Sequence, residues 1–96
     1  KNVYGVIAPF EGKPEKIILK FSAFQGKYIK TKPLHSSQQI LKDSKNELCI
    51  SLRLYPTYDF IMELLSFGDS VRVVEPLTLA KEIKIILQRT LEKYNN

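Results

Sequence analysis

One histidine, His35, and one cysteine, Cys49, are all that this chain of 96 residues offers as the usual base and thiol nucleophile. Nucleophilic catalysis needs a nucleophile within reach of a base that a third group orients. A zinc site needs about four ligands at suitable spacing, which one histidine and one cysteine cannot supply. Neither HExxH, CxxC nor GxSxG occurs, and there is no glycine-rich phosphate loop. Asp59 and Glu63 stand four apart, a spacing that puts both on one helical face, where a solvated polar stripe accounts for them. The reading is that this is no enzyme, with no cofactor and no metal. A lone cysteine makes no internal disulfide and favours a reducing, cytoplasmic setting.

The chemistry that remains is cationic. Net charge is +5, carried unevenly: residues 1–55 hold ten Lys/Arg against four Asp/Glu, residues 56–96 five against six. Six lysines fall between Lys13 and Lys32. A one-sided positive field attracts phosphates or acidic partners; the plain alternative is a lysine-rich surface that keeps the protein in solution. Lys20, Arg53 and Arg72 are candidates for an anion-holding cluster, Arg offering a two-pronged donor fork. No apolar run approaches the roughly 18 residues of a membrane span, so no membrane partner is expected.

These side chains must be positioned by an alternation of strands and helices. Residues 1–14 contain two glycines and two prolines and no sustained period; they read as the exit of a preceding strand plus a linker, in a chain that opens on Lys1 and is expected to be part of a longer protein. EKIILKFS alternates, with Ile17, Leu19 and Phe21 on one face and Ile18, Lys20 and Ser22 on the other, which predicts a strand. AFQGKYIKTK predicts a helix of two or three turns ending before Pro33. SSQQILK and ELCISLRL, joined by DSKN, predict a hairpin. TYDFIMELLSF predicts a helix capped by Thr57, with a wide apolar arc that meets a sheet and a further neighbour. Gly68 suits the left-handed residue that closes it. VRVVE predicts an outer strand that Pro76 ends, and a last helix is expected from Leu79 to about Tyr94, capped by Thr78. Leu79, Ile83, Ile86, Leu87, Leu91 and Tyr94 share one arc of it. Ile85 falls on the other side and is the candidate oligomer contact.

The order is β-α-β-β-α-β plus a carboxy-terminal helix: an α+β, ferredoxin-like split βαβ fold with a four-stranded antiparallel sheet. Right-handed crossovers put both internal helices on one face. The other face then shows Ile18, Lys20, Cys49, Ser51, Arg53, Arg72 and Val74. RNA-recognition motifs share this topology and stack bases on aromatics of the central strands; no aromatic stands at those positions here, so recognition of that kind is not expected.

KYIKTKPLHSSQ together with LLSFGDSVRVVEPLTLAKEIKIILQRTLEKY resembles the WCX domain, the carboxy-terminal extension of bacterial WYL-domain transcriptional regulators. Tyr28, Lys30, Lys32, Leu34, His35, Ser37 and Gln38 match the first motif of that group, and Leu64, Leu65, Ser66, Phe67, Gly68, Glu75 and Pro76 the second. Lys30 and Lys32 stand where arginine is common and Ser36 where proline is common; lysine keeps the charge without the bidentate geometry. The resemblance covers about residues 15–94, and Tyr4–Val6 resembles the end of a preceding WYL domain. It implies a regulatory, effector-sensing and dimerisation domain, with the WYL domain of the same chain as partner. DNA is then read by an amino-terminal winged helix, and the effector is a nucleotide or single-stranded nucleic acid. Effector contacts are expected from Lys20, Tyr28, Lys30, Lys32, His35, Arg53 and Arg72, and a homodimer is the assembly considered. Two other readings stay open: a small-molecule-binding regulatory domain of a metabolic enzyme, and a purely structural dimerisation module.

Overall fold

A computed structural model describes residues 13–95; the expected remnant of a preceding domain at Tyr4–Val6 lies outside them. The element order is β1 (Glu15–Ser22), α1 (Ala23–Thr31), β2 (Gln39–Asp43), β3 (Glu47–Leu54), α2 (Tyr58–Ser66), a 3₁₀ turn (Gly68–Ser70), β4 (Val71–Glu75) and α3 (Leu77–Glu92). The sheet order is β2-β3-β1-β4 and every pairing is antiparallel. β3 therefore lies between β1 and β2, and β1 between β3 and β4. This is the ferredoxin-like α+β arrangement with a third helix appended.

Alternation decides the sheet's two faces. Ile17, Leu19 and Phe21 of β1 and Leu48, Ile50, Leu52 and Leu54 of β3 form one buried cluster. Ile29 of α1, Phe60, Ile61 and Leu64 of α2 and Leu79 of α3 join it, with Val71 and Val73 of β4 packed against it. All three helices thus bury their apolar residues on one side, and among the described residues the opposite face carries no helix. Gly26 lets α1 approach closely: a Cβ there would stand 2.9 Å from Leu48 Cβ.

The segment from α2 to β4 closes as its residues dictate. Thr57 caps α2, its side chain accepting from Phe60 N–H. Phe67 turns inward and meets Phe21 edge to face at 5.4 Å. Gly68 adopts φ +60°, a conformation that costs other L-residues a steric clash.

Two boundaries and one buried face differ from the sequence reading. The hairpin's first arm begins at Gln39, not Ser36, because the side chains of Ser37 and Gln38 are engaged in a loop described below. α3 begins at Leu77, and Thr78 does not cap it. Pro76 holds the cap position with no side-chain cap bond, and its carbonyl accepts the first helical bond from Ala80 N–H at 3.1 Å. Finally, the expected apolar arc of α3 splits. Leu79, Ile83 and Ile86 pack on the core, whereas Leu87, Leu91 and Tyr94 are exposed. A helix of 16 residues is about 24 Å long and β4, with five, spans about 17 Å, so α3 outruns its strand.

Candidate anion-binding face

Register fixes what the helix-free face displays. Lys16 stands directly opposite Arg53, Ile18 opposite Ser51, Lys20 opposite Cys49 and Ser22 opposite Glu47 across β1 and β3. On the other side of β1, Lys20 is also opposite Arg72, and Ile18 opposite Glu75. Gln39 and Lys42 of β2 extend the Ser51 and Cys49 rows. The face thus combines Lys16, Lys20, Lys42, Arg53 and Arg72 with two carboxylates, Glu47 and Glu75. None of the residues that β1 to β4 place on it is aromatic.

Two like-charged pairs, Lys16–Arg53 and Lys20–Arg72, oppose each other directly, an arrangement that destabilises a sheet unless something anionic neutralises it. They lie four residues apart along β1, about 13 Å. Glu47 answers part of this charge, reaching Lys20 Nζ at 3.7 Å and Lys42 Nζ at 3.8 Å. Among the described residues Arg53 and Arg72, both exposed, have no ion-pair partner. Between the pairs lies the row of Ile18, Ser51 and Glu75, in which Ser51 is buried. Cys49, directly opposite both Lys20 and Lys42, is a buried free thiol.

The remaining expected contacts gather elsewhere. Tyr28 lies on the outer side of α1, exposed, with its ring against Phe24 at 5.6 Å. Lys30 Nζ is held by Asp43 of β2 at 2.9 Å, and Lys32, exposed, follows at the end of α1. The seven sequence-derived residues therefore form two groups: Lys20, Arg53 and Arg72 on the sheet, and Tyr28, Lys30 and Lys32 on α1. His35 stands at the junction.

That junction is a loop clip built from the first motif. Gln38 Nε2 donates to the Ile29 carbonyl at 3.1 Å while its Oε1 accepts from Leu34 N–H at 2.9 Å, tying the loop to the last turn of α1. Leu34 packs against the core. Ser37 Oγ accepts from Arg53 N–H at 2.8 Å, standing in for a strand partner where β2 has not yet begun. Ser37 N–H donates to His35 Nδ1 at 3.1 Å, and Ser37 Oγ–H completes the contact with the same nitrogen at 2.8 Å. This pattern assigns the ring proton to Nε2. His35, exposed, is thereby fixed next to the backbone of Arg53, the one sequence-derived residue that links the two groups.

Sequence reasoning passed over Lys16, Lys42 and Glu47. Lys16 was visible, since it precedes Ile18 and Lys20 in the same alternation; Lys42 and Glu47 needed the register of the hairpin. Among the described residues no group of three or more His, Cys, Asp or Glu could hold a metal ion, and no helix is long and apolar enough to cross a membrane. The face offers hydrogen-bond donors and positive charge, which is chemistry for holding an anion.

No curated protein is similar enough to this chain to count as a relative. A family model does match, that of the WCX domain, over residues 13–91. That span takes in all four strands, the loop clip and nearly the whole of α3, and the chain belongs to the WCX domain family, the carboxy-terminal extension found in WYL-domain regulators, which is not a family of enzymes.

Proposed function

We propose that this domain senses an anionic effector and assists assembly in a cytoplasmic WYL-family DNA-binding regulator, without catalysis. The effector is a nucleotide or single-stranded nucleic acid, held against the helix-free sheet face in concert with the WYL domain. DNA reading belongs to a winged helix elsewhere in that regulator. Lys20, Arg53 and Arg72 take the phosphates; His35, Tyr28, Lys30 and Lys32 form the α1 side of the same cleft, and α3, where Ile85 is exposed, serves assembly.

The observation that carries this reading is the two opposed like-charged pairs on a face that carries no helix among the described residues. A sheet that served stability alone gains nothing from Lys20 across from Arg72 and Lys16 across from Arg53, because each repels its neighbour. An incoming phosphate relieves both repulsions and accepts the forked Arg donors. The lack of aromatics on the strands makes this phosphate recognition rather than base stacking. Binding is accordingly expected to be tolerant of sequence and to weaken steeply with salt.

The test is a titration of the regulator carrying this domain with a labelled single-stranded oligonucleotide. Reversing charge at Lys20, Arg53 and Arg72 is expected to weaken binding at least about tenfold. Unchanged affinity removes these residues from the site.

A further inference from the structure

Away from the helix-free face, a groove of about 250 Å³ runs between α2, β4 and α3. Val71 and Val73, which alternation turns to the helix side of β4, form one wall, and Leu64 and Leu65 of α2 another. From α3 come Ala80, Ile83, Lys84 and Leu87, at the spacing of a single helical face. Among the described residues β4 ends the sheet, so the groove opens along that edge. A second recess, of about 350 Å³, begins at the same Ala80 and Lys84 and is lined beyond them by Leu77, Thr78 and Lys81. Ala80 lines both, and its small side chain leaves room where they meet.

The lining is apolar except for its charges, and every one of those is positive. Arg72 and Lys84 border the groove, and Lys81 and Lys84 the second recess. Glu82 and Glu92, the acids of α3, line neither. Among the described residues none of the three cations has an ion-pair partner. Lysine and arginine lay their apolar stems along such walls and keep the charge at the rim. A concave apolar wall beneath unpaired cations complements a molecule that is apolar at one end and anionic at the other. The size narrows the class further. The groove equals roughly eight water volumes and lies at the small end of ligand pockets, room for a ring or a short acyl chain and too little for a helix or strand of a partner.

We propose that this groove binds a small amphipathic organic acid, with its chain or ring against Leu65, Val71, Val73 and Ile83 and its carboxylate between Arg72 and Lys84. The carboxylate accepts the forked Arg donors and the Lys ammonium, while the apolar part gains by leaving water. An uncharged molecule of the same chain keeps only the second contribution. Arg72 is the one residue shared with the helix-free face, where it stands opposite Lys20. The inference otherwise goes beyond the proposed function and does not depend on it.

Nuclear magnetic resonance of the 96-residue chain, titrated with octanoate and separately with octanol, reads the site directly. Octanoate is expected to give saturable shifts of the Leu65, Val71, Val73 and Ile83 methyl groups with a dissociation constant on the order of 0.1–1 mM. Octanol is expected to bind the same residues at least about tenfold more weakly. Lys84 is exposed, so Lys84→Glu leaves the fold intact; it is expected to weaken octanoate at least about tenfold and octanol little. Ala80→Leu fills the groove and is expected to abolish the shifts from both. Octanol bound as tightly as octanoate, octanoate affinity indifferent to Lys84→Glu, or shifts that persist in a folded Ala80→Leu chain overturn the proposal. So does the absence of saturable shifts up to about 10 mM octanoate, which leaves the groove to an apolar side chain of a protein partner. Lys20→Glu with Arg53→Glu is expected to leave the octanoate titration as it was, so loss of this site and loss of the phosphate-holding face are separate results.

Discussion

Gly68 and Gly26 are held by different forces, and substitution separates them. At Gly68 nothing lies within 4 Å of an added Cβ, but φ is +60°. Gly68→Ala is therefore expected to cost about 1–2 kcal/mol through backbone strain alone, and Gly68→Asn distinctly less, since Asn tolerates that region. At Gly26 the backbone is ordinary helix, and the obstacle is Leu48 Cβ at 2.9 Å. Gly26→Ala is expected to cost about 1–2 kcal/mol, because overpacking of about 1–3 kcal/mol outweighs the gain of up to about 1 kcal/mol in helix propensity. There Asn and Ser bring no relief. Gln38 acts by hydrogen bonding: Gln38→Ala leaves the Leu34 N–H and the Ile29 carbonyl without their partner. Its expected cost is about 1–3 kcal/mol. Urea unfolding of each variant, with the slope checked for constancy, measures all three.

At the scale of elements, the strands set stability against charge. Arg72 faces Lys20 across β1 and β4, so Arg72→Glu converts a repulsive cross-strand pair into an attractive one. It is expected to raise stability by roughly 0.2–1 kcal/mol while weakening the anion site, a combination that a merely solvent-facing arginine does not give. Thermal unfolding together with oligonucleotide binding checks both signs. The elements themselves were legible in the sequence: the period of two in EKIILKFS and ELCISLRL, and the glycine and proline around VRVVE, are local signals. The loop clip was not, because Gln38 and Ser37 bond to the backbone of Ile29 and Arg53, atoms that only folding brings near. The opposed cations were half legible. Alternation put Lys20, Arg53 and Arg72 on one face, but register was needed to set Lys16 against Arg53 and Lys20 against Arg72. The start of α3 misled because Thr78 has the chemistry of a cap, while Pro76 already holds the extended backbone that opens a helix.

Among the described residues the molecule has two layers with the helices on one side of the sheet, so the helix-free sheet face and the exposed flank of α3 are the surfaces they leave for partners. Both follow from the β-α-β-β-α-β order plus one helix longer than the strand it covers. Anion binding releases counterions and is expected to fall linearly in logarithmic terms as salt rises. The central claim is that the opposed cations of the helix-free face hold phosphate. It is tested most directly by fluorescence anisotropy of a labelled single-stranded oligonucleotide, titrated at several salt concentrations with the regulator carrying this domain and with its Lys20→Glu, Arg53→Glu, Arg72→Glu variant. A loss of affinity of at least about tenfold with a shallower salt slope is the expected result; equal affinity and an equal slope would contradict the claim.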